Sequence, residues 1–384
     1  MTVRTGLERL LDDGLPAIDG RQVGLVTNQT GIDTRLCSSI DLLAASGRVR
    51  LSALFGPEHG VRGTAQAGVH VGEAIDARTG LPVHSLYGET RKPTPAMLDG
   101  LEALVFDLQD VGVRFATYIS TLWLVQEAAA EAGLPVVILD RPNPLTGERV
   151  EGNLVETEFA SFVGIHPLPI RHGLTVGELG RLFAAERGWP RPLVVPMLGW
   201  RRSDWFDQTG LPWVLPSPNL PMLESVTLYP GTCLVEGTNV SEGRGTTRPF
   251  ELVGAPWIDP FRLARDLAAR GLQGVAFRAA WFTPAFSNYA GAVCGGVQIH
   301  VLDRTALRPV AVGVHLLHAL KRHAPDDFAW RESANGTYFL DRLLGSDRPR
   351  RNLDAGASAE ELLLGWETQA SGFEERARPY RMYV

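Results

Sequence analysis

Cysteine is scarce: three residues in 384, far apart at Cys37, Cys233 and Cys294. An odd number with no C-x-x-C pair supports neither a disulfide framework nor a zinc site, so all three are expected to be buried thiols. Long apolar runs are missing as well. No stretch approaches the roughly 18 consecutive apolar residues of a membrane span, and the opening MTVRTGLERLLDDGLPAIDG holds no apolar secretion-signal core. As written, the chain is expected in the cytoplasm, or secreted or periplasmic if a leader has been removed. Basic charge is not in surplus, since 37 Lys and Arg against 43 Asp and Glu leave a net charge of −6. Nucleic acid and anionic membrane, which call for basic patches, are therefore not expected as partners. Phosphate-binding glycine motifs are absent too. No G-x-G-x-x-G follows an apolar strand, and EGRGTT lacks the spacing and lysine of a P-loop, so no dinucleotide, no ATP and no other cofactor is expected.

What is present describes a folded chain of two domains. The apolar share is 45% with 21% charged residues, and the length exceeds what one ordinary core serves. Val23 to Thr27 predicts a short buried strand running into TNQTG, and CSSIDLLAAS a helix closed by Gly47. The pattern then recurs: LSALF into GPEHG, EALVFDL into QDVGVR, the helix TYISTLWLVQEAAAEAG, then LPVVIL into DRPNP. Strands alternating with helices imply parallel βαβ units, and strands apolar throughout imply a sheet covered on both faces. The expected fold is α/β, a Rossmann-like doubly wound sheet over residues 1–225, followed by a smaller α+β domain over 226–384. From Pro212 to Phe250 the chain is rich in Pro, Gly, Ser and Asn with little helical periodicity, and reads as a long irregular functional loop.

In a doubly wound sheet, ligands gather outside the carboxyl ends of the strands. The tips TNQTG, GPEHG, QDVGVR and DRPNP should therefore meet at one rim. Glu58 and His59 stand out there: a carboxylate and an imidazole between glycines suit a general acid and the group that orients it, or equally a plain polar turn. Asp110, followed by Arg114 and Tyr118, suits a supporting role or a turn aspartate. Asn28 and Asn143 suit turns, although rim amides also bind sugar hydroxyls. EGTNVSEGRGTTRPFE gathers Glu236, Glu242, Arg244, Arg248 and Glu251 among glycines, either as solvated charge or as a second carboxylate with an anion clamp. Glu58, His59, His70 and His84 share one segment, but without any ligand spacing that argues for a metal.

Together the motifs GLVTNQTG, LFGPEHGVRG, LYGETRKPT, FDLQDVGVRFATYIST, LDRPNPLTG, PLPIRHGLTVGEL, PSPNLP, LYPGTCLVEGTNVSEGRGTTRPFE and NYAGAVCGGVQIHV resemble the NamZ-like exo-β-N-acetylmuramidase family, long classed as a domain of unknown function. The likeness runs from about Arg21 to the C-terminus. It implies a Rossmann-like first domain, a smaller second one, and a glycoside hydrolase that releases N-acetylmuramic acid (MurNAc) from the non-reducing end of peptidoglycan fragments. It also implies cell-wall recycling and places the family's acid at Glu58.

On that footing Glu58 protonates the glycosidic oxygen while Glu236 or Glu242 acts on water or the anomeric carbon. Arg244 or Arg248 would hold the lactyl carboxylate of the sugar, and Asp110 could orient its acetamido group. His59, Arg62, Asn28, Tyr118 and Asn219 complete the expected substrate contacts, with Pro216 to Leu220 walling an exo-acting pocket. Two other classes stay open: a metal-dependent hydrolase of another wall component, and a non-catalytic muropeptide-binding or sugar-binding protein.

Overall fold

The computed structural model describes residues 2–384 except Ala67, His70, Val71 and Glu73. His70, weighed above as a ligand, thus lies outside the described residues. The first half builds a seven-stranded sheet from β1 (Gln22–Thr27), β2 (Arg50–Gly56), β3 (Ala74–Ile75), β4 (Pro82–Ser85), β5 (Ala103–Asp107), β6 (Val136–Leu139) and β7 (Leu193–Val195). Their order is β3-β4-β2-β1-β5-β6-β7. Every pairing is parallel except that of the short edge strand β3 with β4. β5 is buried at all five positions and β1 at all but its first, which is why both are apolar throughout instead of alternating.

Helices cover both faces. Leu7 and Leu10 of α1 (Gly6–Asp13) pack with Ile40 and Leu43 of α2 (Ser39–Ser46) against one side of the strands. The other side is covered after the short α3 (Pro95–Leu98) by α4 (Tyr118–Ala132) and α5 (Val176–Arg187). Thr5 and Thr175 begin α1 and α5 with capping boxes closed by Glu8 and Glu178.

The expected irregular stretch from Pro212 to Phe250 is only partly irregular. It contains α6 (Leu223–Thr232) and a 3₁₀ turn, Cys233–Gly237. Residues Ser225 to Thr232 are all buried, so no apolar face alternates with a polar one, and Pro230 inside the helix disguises it further. At Gly231 a Cβ would stand 1.8 Å from the Pro309 carbonyl oxygen. This lets α6 press backbone to backbone on the later helix α8 (Pro309–His323).

In the second half, β8 (Leu252–Ala255), β9 (Val275–Phe282) and β10 (Cys294–Val301) form an antiparallel sheet ordered β8-β10-β9. Between β8 and β9 runs α7 (Pro260–Ala269), and beyond α8 come α9 (Phe339–Leu344), α10 (Arg348–Asp354), α11 (Ala359–Leu363) and α12 (Trp366–Ala377). The stretch SAEELLLGWETQASGFEERA, apolar and charged like one long helix, is broken into α11 and α12 at Gly365, whose φ is +81°. The two halves share buried surface. Val111, Phe115 and Leu220 belong to the same apolar cluster as Leu234, Val253 and Leu340, while Phe373 and Ala377 of α12 return to pack beside α4 and α5. All three cysteines are free thiols; Cys233 and Cys294 are buried, but Cys37, expected inside, is exposed just before α2.

Candidate active site

Parallel strands bring the four polar tips to one rim, and two of them face a cleft of about 780 Å³ between the halves of the molecule. Its floor carries Glu58 and His59 from the β2 tip and Val111 and Phe115 to Tyr118 from the β5 tip. From later in the chain the lining takes Tyr229, Cys233, Glu236 and Arg244, with the Tyr229 ring edge-on to Phe115 at 5.5 Å.

The turn at Glu58 is built by backbone of unusual hand. His59 and Gly60 both have φ of +75°, a conformation a histidine adopts only where the surroundings hold it. His59 Nδ1 is 2.8 Å from the Ala65 carbonyl oxygen, which supplies that hold. Glu58 is thereby set facing the cleft with both oxygens engaged: Oε1 accepts from the Gly68 N–H at 2.9 Å and Oε2 from the Thr117 hydroxyl at 2.8 Å. The Tyr87 phenol stands beside them, its ionisation pushed up to about 12 by burial and by the charge of Glu58. Tyr118 is also raised, by burial and then by Glu58, and its hydroxyl donates to the Pro216 carbonyl. Gln29 Nε2 donates to the Leu215 and Pro216 carbonyls at 2.9 and 3.2 Å, so the Pro216–Leu220 segment is pinned as a wall that includes Asn219.

In the same lining, Arg244 joins two carboxylates. Its Nη1 lies 2.9 Å from Glu236 Oε1 and 2.9 Å from Glu242 Oε1. Burial opposes the charge on Arg244, but the two glutamates outweigh it and hold the guanidinium above its usual range. Glu242 is 2% exposed and does not line the cleft. Burial raises its carboxyl, against the pull of Arg244 and with that of Glu236. Glu236 is the member that faces the open space, and it accepts from the Cys233 thiol at 3.3 Å. Burial, then the Glu236 charge, pushes that thiol well up.

Other expected site residues fall outside the lining. Arg62 binds Asp76 with Nε at 2.9 Å and Asp41 with Nη2 at 3.3 Å, bracing the loop behind GPEHG. Arg248 pairs with Glu251 at 3.2 Å. Asn28 closes its own turn, Oδ1 accepting from the Thr30 N–H and hydroxyl at 2.9 and 2.6 Å. Asp110 Oδ2 accepts from the Gly112 N–H at 2.7 Å and lies 3.2 Å from His172 Nε2. It shapes the turn of Gly112, where φ is +78° and a Cβ would fall 2.4 Å from Asn143 Oδ1. None of these four lines the cleft, and each makes a bracing or turn contact in this structure, while Asp110 Oδ1 is buried without a hydrogen-bond partner among the described residues. Thr117, Tyr87, Arg91, Arg331 and Arg342 line the cleft without having been singled out. Thr117 and Tyr87 sit inside the quoted FATYIST and LYGETRKPT motifs, whereas nothing near Arg331 and Arg342 marks them.

Among the described residues, no three His, Cys, Asp or Glu side chains gather as a metal site. A carboxylate on a sheet rim, with a second carboxylate lining the same large cleft, fits the muramidase resemblance, and comparison with known proteins decides it. The family model described as exo-β-N-acetylmuramidase NamZ, N-terminal, matches residues 23–224, and its C-terminal counterpart matches residues 227–383. The chain belongs to the NamZ family of exo-β-N-acetylmuramidases. The peptidoglycan β-N-acetylmuramidase NamZ of Bacillus subtilis (strain 168) is 47% identical over 99% of this chain and 91% of its own length. A crystal structure of a DUF1343 family protein from Bacteroides fragilis NCTC 9343 has a TM-score of 0.92 at 36% identity, covering 100% of this chain and 99% of that one. A second from the same organism has a TM-score of 0.80 at 30% identity, with the same coverage. The α/β architecture with its smaller second sheet is thus the family's architecture.

Proposed function

We propose that this chain hydrolyses the β-glycosidic bond of N-acetylmuramic acid at the non-reducing end of peptidoglycan fragments, such as MurNAc-GlcNAc, in cell-wall turnover and recycling. The observation that carries the reading is Glu58, fixed through both oxygens at the rim of a cleft that Glu236 also lines. Hydrolysis of a glycoside needs an acid for the leaving oxygen and a second group for water or the anomeric carbon.

The hydrogen bonds favour one oxygen of Glu58 as proton carrier. The Gly68 N–H can only donate, so Oε1 stays an acceptor. The Thr117 hydroxyl can turn to accept, so Oε2 can hold the proton that passes to the glycosidic oxygen as the C–O bond breaks. Glu236, being open to the cleft where Glu242 is not, takes the second role. Arg244 keeps the two adjacent carboxylates compatible. The pinned wall from Pro216 to Leu220 and the aromatic side chains Tyr87, Phe115 and Tyr229 enclose the terminal sugar, as an exo-acting site requires.

The test is incubation with MurNAc-GlcNAc followed by mass spectrometry for free MurNAc. Release of both monosaccharides is the expected result. Binding of the disaccharide without release would leave the chain a sugar-binding protein and sink the proposal.

A further inference from the structure

Four arginines line the cleft: Arg91, Arg244, Arg331 and Arg342. Arg244, expected from the sequence to grip the acidic group of the substrate, already shares one nitrogen between two carboxylates. An arriving carboxylate would add a third negative charge to a buried cluster that holds one positive charge, and such a cluster repels it. Arg248, the other expected clamp, is paired with Glu251 and stands off the cleft.

The remaining three have no carboxylate partner among the described residues, yet each is held in place. Arg91 lies over the Phe162 ring at 4.2 Å and beside Tyr87 at 5.6 Å, the phenol that neighbours Glu58. Arg342 donates from Nη2 to the Thr337 hydroxyl at 2.9 Å. Arg331 lies over Phe339 at 5.2 Å. Stacking and a neutral hydroxyl fix a guanidinium's direction while leaving its charge and most of its N–H groups available. Arg342 is half-buried and the other two are exposed, so it is the one best shielded from solvent. Phe162, under Arg91, belongs to the loop Ser161–Val163, which lines the same cleft as Arg342.

Neutral sugar hydroxyls need no such cations. MurNAc differs from N-acetylglucosamine by a lactyl ether that bears a carboxylate, and unpaired arginines are the chemistry that recognises it. We propose that Arg342, supported by Arg91 and Arg331, binds the lactyl carboxylate of the substrate, and that Arg244 instead holds Glu236. This assignment rests on the muramidase reading of the cleft.

The test compares binding of free MurNAc and of its lactyl methyl ester by calorimetry. Wild type should bind the acid about 10-fold or more tightly than the ester, the size of one charge-assisted hydrogen bond. Arg342→Ala and Arg342→Gln should bring that ratio close to one while leaving ester affinity in place, which also reports that the variants are folded. Arg91→Ala and Arg331→Ala should lower it less. Equal binding of acid and ester by wild type, or an unchanged ratio in all four variants, overturns the assignment. Failure of the muramidase reading would show separately, as absence of MurNAc release by wild type.

Discussion

Thr117 gives its hydroxyl to Glu58, at 2.8 Å, and not to the helix it begins. As N-cap of α4 it is a residue type that ordinarily accepts from the backbone two or three residues on, yet no such side-chain bond forms here. A local rule set aside at the mouth of a cleft marks a group held for another task. Glu58→Gln should cut kcat on a MurNAc glycoside by about 100-fold or more, since the amide keeps the shape but not the acid. Thr117→Val, which removes the hydroxyl that can receive the proton's hydrogen bond, should cut kcat by about 10-fold with little change in KM. Near-normal turnover of Glu58→Gln would remove it as the acid.

The second carboxylate can be separated by the same measurement. Glu236→Gln should reduce kcat by about 100-fold, and Glu242→Gln by less than about 10-fold, because only the former lines the cleft. Steady-state kinetics with the order reversed would give the second role to Glu242.

Arg114 predicts a stability effect. It is fully buried, its Nη1 donating to the Leu168 carbonyl at 2.7 Å and its Nη2 to the Leu343 carbonyl at 2.9 Å, with the Asn153 carbonyl also bound. It thus ties the first half of the chain to the second below the cleft. Burial without a facing carboxylate lowers its pKa to about 9. Arg114→Met should cost about 2–4 kcal/mol in urea unfolding, because buried carbonyls lose their donors. An unchanged midpoint would show that the tie contributes nothing net.

Asp140 predicts a pH effect. Its Oδ1 accepts from the Gly177 N–H at 2.8 Å and its Oδ2 from the Thr175 hydroxyl at 2.8 Å and the Tyr383 hydroxyl at 2.5 Å. Burial pushes this carboxyl up to about 7, with Tyr383 and Gly177 pulling the other way. Unfolded, it would titrate near about 4. Between those values the folded chain holds the extra proton, so the stabilisation is full below about pH 4 and is lost as pH rises through 7. Asp140→Asn should flatten the fall of the denaturant midpoint between pH 5 and 8. Identical slopes in variant and wild type would reject the assignment.

The sheet was legible because its strands carry their burial in their composition: ALVFD and QVGLV are apolar at nearly every position, which only a two-sided cover explains. Glu58 was legible through its place at a strand end between glycines. Helix α6 was not, since a helix buried all round has no period to read and Pro230 argues against it. Arg62, Arg244 and Arg342 look alike in the sequence. Arg62 meets Asp76, Arg244 meets Glu236 and Glu242, and Arg342 meets the Thr337 hydroxyl, and spacing along the chain does not foretell which partner is a carboxylate.

By itself the sequence determined the α/β alternation and the strand ends on which Glu58 and the other candidate residues stand, because periodicity, strand ends and turn residues are local properties of the chain. The tertiary structure alone decided that Thr117 supports Glu58, that Glu236 lines the cleft while Glu242 is buried behind it, and that Arg91, Arg331 and Arg342 have no carboxylate partner among the described residues. Pairing and exposure are set by what folds against a side chain from elsewhere, and those distances are not written in the order of residues.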